Sequence, residues 1–131
     1  MKRIGIVALA LLLVGFMSAA VFAADKDAIK ANVDEVVAAI DGGKDAAEFA
    51  ADAYDPYVFI MEEGGNLIVH PSLAGESLKE KAGPVYDALV AATADGVWVD
   101  YEWPLDNPKK KHSYVKKTSG GLIVGSGYTE E

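Results

Sequence analysis

The spacing of apolar residues changes several times along the chain, and each change marks an element. Residues 4–16 form one apolar stretch broken only by Gly5 and Gly15. Beyond Asp25, the residues Ile29, Val33, Val36, Val37 and Ile40 recur at i, i+4, i+7, i+8 and i+11, with Lys30, Asp34 and Glu35 on other faces, which predicts an amphipathic helix. Gly42-Gly43 interrupts it, and residues 45–50 restart a shorter alanine-rich helix that must end before Pro56. Residues 57–61 and 66–70 are runs of β-branched and aromatic residues. The segment Glu62-Glu63-Gly64-Gly65 joins them as a hairpin, because glycine permits the positive backbone angles of a tight turn. Pro71 closes the second run, and residues 72–83 read as a polar connection. Val85, Leu89 and Ala92 then recur at helical spacing, predicting a short helix that Gly96 ends. Residues 97–103 form a strand stopped by Pro104, and residues 111–118 and 122–128 form two more, separated by Ser119-Gly120-Gly121. The expected fold is α+β, with five antiparallel strands in one sheet and helices packed on it.

The leading apolar stretch follows Met1-Lys2-Arg3 and runs into small residues ending at Val21-Phe22-Ala23, the pattern of a secretory signal peptide cut after Ala23. It is shorter than the roughly 20 residues needed to span a bilayer, so no membrane span is expected after cleavage. Residues 24–131 then form a single domain, periplasmic or secreted. They keep all 20 acidic residues and lose Lys2 and Arg3 from the 12 basic ones, so they are more acidic than the whole chain's net charge of −8. An acidic domain with no arginine repels phosphate backbones, which argues against nucleic-acid binding. The chain has no cysteine, which removes disulfides, thiol nucleophiles and thiolate metal sites.

Three stretches of the first half, Tyr57-Val58-Phe59-Ile60, Gly65-Asn66-Leu67-Ile68-Val69-His70-Pro71 and Leu73-Ala74-Gly75-Glu76-Ser77-Leu78, resemble the single Cache domain family. In the second half, residues 96–104, 111–116 and 123–128 look like that family's three later strand motifs, in order. The resemblance implies a PAS-like antiparallel sheet with an N-terminal helix on one face and a short helix or loop over a ligand pocket on the other. It also implies extracytoplasmic sensing of a small organic acid or amino compound, signal transduction of the chemotaxis kind, and a membrane receptor or sensor kinase as partner. The sequence looks like a free-standing form, and it carries Glu102 where many relatives carry an arginine that pairs with a carboxylate ligand.

Alternation along residues 97–103 places Val97, Val99, Tyr101 and Trp103 on one face and Trp98, Asp100 and Glu102 on the other. If Glu102 lies opposite Lys111, then Asp100 faces Ser113 and Trp98 faces Val115, a register that depends on the intervening turn. Lys111 matches a lysine that contacts ligand in the family; it is also the end of a Lys109-Lys110-Lys111 run that could simply face solvent. Beside it, Glu102 could neutralise it and leave an uncharged or amino-bearing ligand. Trp98, Tyr101, Trp103 and Tyr114 suit pocket walls and core packing equally. His70, before Pro71 at a strand end, matches the family and suits a pocket rim or a backbone cap. Tyr86 could close the site from above, and His112, beside lysines, reads as surface. The ligand-binding candidates are thus His70, Trp98, Tyr101, Glu102, Trp103, Lys111 and Tyr114.

No acidic spacing resembles a calcium loop, no histidine spacing makes a zinc site, and no nucleophile and base are paired, so neither metal, cofactor nor catalysis is expected. The alternative to a small-ligand sensor is a structural or interaction protein without ligand, forming a homodimer through the stripe from Ile29 to Ile40.

Overall fold

The computed structural model describes residues 26–103 and 109–129. The expected signal peptide and the turn after Pro104 lie outside them. Helix α1 (Lys26–Asp41) buries Ile29, Val33, Val36 and Val37, four of the five residues that the helical spacing singled out, and leaves the fifth, Ile40, partly buried against the same core. It ends at Gly43, whose φ of 114° is the left-handed conformation that closes helices. The alanine-rich segment that follows is not an α-helix but two separate 3-10 turns, Ala46–Glu48 and Ala51–Ala53. Asp45 caps the first through its carboxylate, which accepts from the Ala47 amide at 3.0 Å. The residues are too few to sustain an α-helix before the chain must extend into a strand.

Five strands follow the expected order: β1 (Val58–Met61), β2 (Leu67–Val69), β3 (Val97–Trp103), β4 (Lys109–Lys117) and β5 (Ile123–Thr129). They form one antiparallel sheet ordered β2-β1-β5-β4-β3. The chain's last strand therefore sits at the centre of the sheet. The connection read as polar contains a one-turn helix, α2 (Leu78–Lys81), started by Ser77, whose hydroxyl accepts from the Glu80 amide at 3.3 Å. Helix α3 (Gly83–Leu89) begins with Pro84 in its first turn and stops at Leu89, before the expected end at Gly96.

The two faces of the sheet carry separate cores. Under α1, Ile29, Val33, Val36 and Val37 meet Val58, Ile60 and Val124. On the opposite face, Leu78, Val85 and Leu89 from α2 and α3 meet Phe59, Met61, Leu67, Val115 and Ile123. All four residues of β1 are buried because both faces of that strand are covered. Asp34 ties α1 to β4 by accepting from Lys30 at 2.9 Å and from Lys116 at 3.0 Å.

Candidate functional site

The site lies on the face of α2 and α3, at the end of the sheet where Phe59, Leu67, Leu78, Val85 and Leu89 stop filling the core. Tyr57, His70, Tyr101 and Trp103 complete the lining of a recess there. Its empty volume is about 240 Å³ counted to its open mouth, of which about 10 Å³ is clear enough to seat the centre of a water molecule. None of the lining residues is acidic.

Two backbone features deliver the polar groups. Met61 pairs with Leu67 and Ile60 with Val69, so Ile68 is an extra residue and β2 carries a bulge. Strict alternation would set Leu67 and Val69 on one face; the bulge sends Val69 to the α1 core and leaves Leu67 and His70 on the recess. The second feature is the register of β3 and β4, which pairs Tyr101 with Lys111, Glu102 with Lys110, Asp100 with His112 and Trp98 with Tyr114. This is one residue away from the register read in the sequence. A one-residue shift exchanges the faces of a strand, so Lys111 stands on the recess face with Tyr101 while Glu102 projects from the other side, exposed.

Lys111 Nζ donates to the Tyr57 hydroxyl at 3.1 Å. It lies 5.1 Å from the centre of the Tyr57 ring and 5.7 Å from that of Trp103. Among the described residues it makes no ion pair. His70 stacks on Trp103 with centroids 6.2 Å apart and meets the edge of Tyr57 at 5.5 Å. Its Nδ1 accepts from the backbone amides of Ser72 at 3.1 Å and Leu73 at 3.0 Å. Burial, with Lys111 nearby adding repulsion, lowers the His70 pKa from 6.5 to about 4. Tyr101 shares a 2.8 Å hydrogen bond with Ser113, and burial, aided by Tyr57, raises its pKa to about 12. At neutral pH the site therefore holds neutral imidazole, neutral phenols and one ammonium.

Of the seven candidates, the structure brings His70, Tyr101, Trp103 and Lys111 together. Trp98, Glu102 and Tyr114 lie on the other face. Trp98 and Tyr114 pack with α1, their rings 5.6 Å apart, with Lys26 over Trp98 and Lys30 over Tyr114. The Tyr114 hydroxyl donates to the Asp95 carbonyl at 3.0 Å, which commits it to the fold rather than to a ligand. Tyr86 does not cover the recess, since its hydroxyl donates to the Glu63 carbonyl at 2.6 Å in the β1–β2 turn. His112 is not a bare surface residue: its side chain is 18% exposed, Nδ1 lies 2.6 Å from Asp100 Oδ1, and its ring stacks on Tyr128. Sequence reasoning missed Tyr57, which reads as one more aromatic of the β1 run; its alternation with Phe59 was the available signal. Among the described residues, no three metal-ligating side chains converge, and no helix is long and apolar enough to cross a membrane.

Residues 47–131 match the family model described as Cache domain, a match that begins after α1. No curated protein matches the chain. Among solved structures, the chain is similar to one described as the periplasmic sensor domain of a chemotaxis protein, with 23% identity and a TM-score of 0.55, covering 78% of this chain and 92% of that one. A Cache chemosensory domain, solved in work on its recognition of carboxylic acid, aligns at 22% identity and a TM-score of 0.39, covering 78% of this chain and 74% of that one. The five-stranded antiparallel sheet flanked by helices is the architecture shared with the first of these, and the match over residues 47–131 settles the family: this chain belongs to the Cache domains.

Proposed function

We propose that this protein is an extracytoplasmic sensor domain that binds a short organic acid, with the carboxylate held by Lys111 and Tyr57 and the aliphatic part against Leu67, Leu78, Val85 and Leu89. The observation that carries this reading is the Lys111 ammonium, without an ion-pair partner among the described residues, set over a recess whose lining holds no acid. A charge-assisted hydrogen bond to an anion is the interaction that such a group lacks. Glu102 does not neutralise it, because it stands on the opposite face. An amino-bearing ligand would need a carboxylate to receive its ammonium, and the lining offers none. The free space is small, so an entering acid requires the side chains around the recess to move apart while Lys111 and Tyr57 keep hold of its carboxylate.

This reading places the protein outside the cytoplasm after removal of residues 1–23, passing occupancy on to a membrane receptor or sensor kinase. Mass spectrometry of the exported protein then finds Ala24 at its N-terminus. A homodimer through the α1 stripe is disfavoured by the burial of Ile29, Val33, Val36 and Val37 in the core. The functional test is thermal unfolding against acetate, propionate, butyrate, amino acids and alkylamines, since a ligand that binds only the folded state raises the midpoint by mass action. The expected result is a saturable shift with a short acid that Lys111→Ala abolishes. A shift with amines but not acids would overturn the assignment of charge, and no shift with any of them would remove the sensing reading.

A further inference from the structure

The imidazole of His70 is held by hydrogen bonds on one side only. Nδ1 accepts from two consecutive backbone amides, Ser72 at 3.1 Å and Leu73 at 3.0 Å. A nitrogen that accepts cannot carry the proton, so the neutral ring must bear it on Nε2. Among the described residues Nε2 has no hydrogen-bond partner, and the ring lines the recess between Tyr57 and Trp103. Charging the ring would require a proton on Nδ1, setting three N–H groups against one another and breaking both turn hydrogen bonds. The groups packed around the ring from other elements are Tyr57, Trp103 and Lys111, none of which is a carboxylate that would favour the imidazolium.

We propose that His70 is a specificity-determining residue, fixed by the backbone of its own turn as a neutral Nε2–H donor, so that the site takes a hydrogen-bond acceptor at that point and rejects a donor. This rests on the binding reading above and deepens it, because it sets what the ligand must present beside the charge that Lys111 receives. The lowering of the His70 pKa by burial and by Lys111 acts in the same direction. The donor therefore persists through the range near pH 6.5 in which an exposed histidine changes charge.

The chain has two histidines, His70 and His112, so ¹⁵N-histidine labelling gives two ring systems, and His70→Asn assigns them. In the free protein between pH 8 and pH 5, His70 is expected to show the Nε2–H tautomer throughout, without a titration step near 6.5. Propionate, the probe, is expected to shift the Nε2–H resonance. His70→Asn keeps an oxygen to accept the Ser72 and Leu73 amides but its shorter side chain places no N–H at the Nε2 position, so it should remain folded and bind propionate about tenfold more weakly or worse. His70→Gln, which places an amide N–H near the Nε2 position, should recover part of that loss.

An Nδ1–H tautomer, or an ordinary titration near 6.5, would overturn the fixed-donor inference. So would undiminished propionate binding by His70→Asn. If propionate raises the melting midpoint through Lys111 while leaving the Nε2–H resonance unmoved, the inference falls and the binding reading stands. If no acid changes either signal, both fall together.

Discussion

A side chain at Gly96 would have to share space with the Tyr114 hydroxyl, and its φ of 92° is one that other residues rarely adopt. Gly96→Ala should therefore cost about 2 to 4 kcal/mol, combining backbone strain with loss of the Tyr114 bond to Asp95. Urea unfolding would show this as a lower midpoint at an unchanged slope. Lys111 is a different kind of position, partly buried against Tyr57 and Trp103 but contributing little to the core. Lys111→Met should leave the unfolding midpoint within about 0.5 kcal/mol of the parent. The same substitution should weaken binding of a short acid by about 10- to 100-fold, the worth of a hydrogen bond to a charged group. Calorimetric titration separates the two effects. Which way each of these residues points was partly legible: alternation along 97–103 grouped Tyr101 with Trp103 correctly. It could not place Lys111, because the partner strand enters through a turn whose length in space alternation does not reveal.

Helix α1 was the most legible element, since four of the five positions at helical spacing became its buried residues and the fifth, Ile40, packs partly buried at the edge of the same core. Ile29→Ala should lose about 2 to 4 kcal/mol, read by the same unfolding measurement, because the cavity lies between two rigid layers. Val33→Asp distinguishes core from interface: a monomer that unfolds is expected, rather than a dimer that dissociates into folded halves, with light scattering and circular dichroism as the readouts. The bulge in β2 was not legible. Asn66 to His70 reads as one unbroken strand, and the extra residue is visible only once Met61 and Ile60 are paired with Leu67 and Val69. Residues 45–50 read as helix because alanine favours helices wherever it occurs, and that propensity is overridden when the chain must reach a strand within a few residues, leaving only the 3-10 turn Ala46–Glu48 there. Likewise α2 hid in a segment judged by its polarity, although Ser77 followed three residues later by Glu80 is a recognisable cap.

The molecule as a whole should weaken in mild acid. The folded state keeps His70 neutral down to about pH 4, while the unfolded chain takes up a proton near 6.5, so protons favour the unfolded state between those values. Stability is then complete above pH 6.5 and falls as pH drops toward 4; His70→Asn should flatten that part of the profile. Asp34, whose pKa is lowered despite desolvation because Lys30 and Lys116 bond its carboxylate, adds its own loss only below the usual carboxylate range. A series of melting midpoints from pH 8 to pH 3 checks both. Short-acid binding, by contrast, should show no step near pH 6.5, where an exposed histidine changes charge, because His70 remains a neutral donor through that range.

By itself the sequence determined the class of the fold, the number and order of its strands, the buried stripe of α1 and the family outline, since each of these is written in local periodicity and turn chemistry. Tertiary structure alone decided which side chains meet. The β3–β4 register put Lys111 with Tyr101 and sent Glu102 away, the β2 bulge brought His70 to the same face, and the central position of β5 placed Tyr57 within reach of Lys111 across the sheet. The physical reason is that facing in a sheet has a period of two residues, so one residue of slip or insertion reverses every side chain beyond it, and nothing local in the sequence records which strand a given residue will lie against.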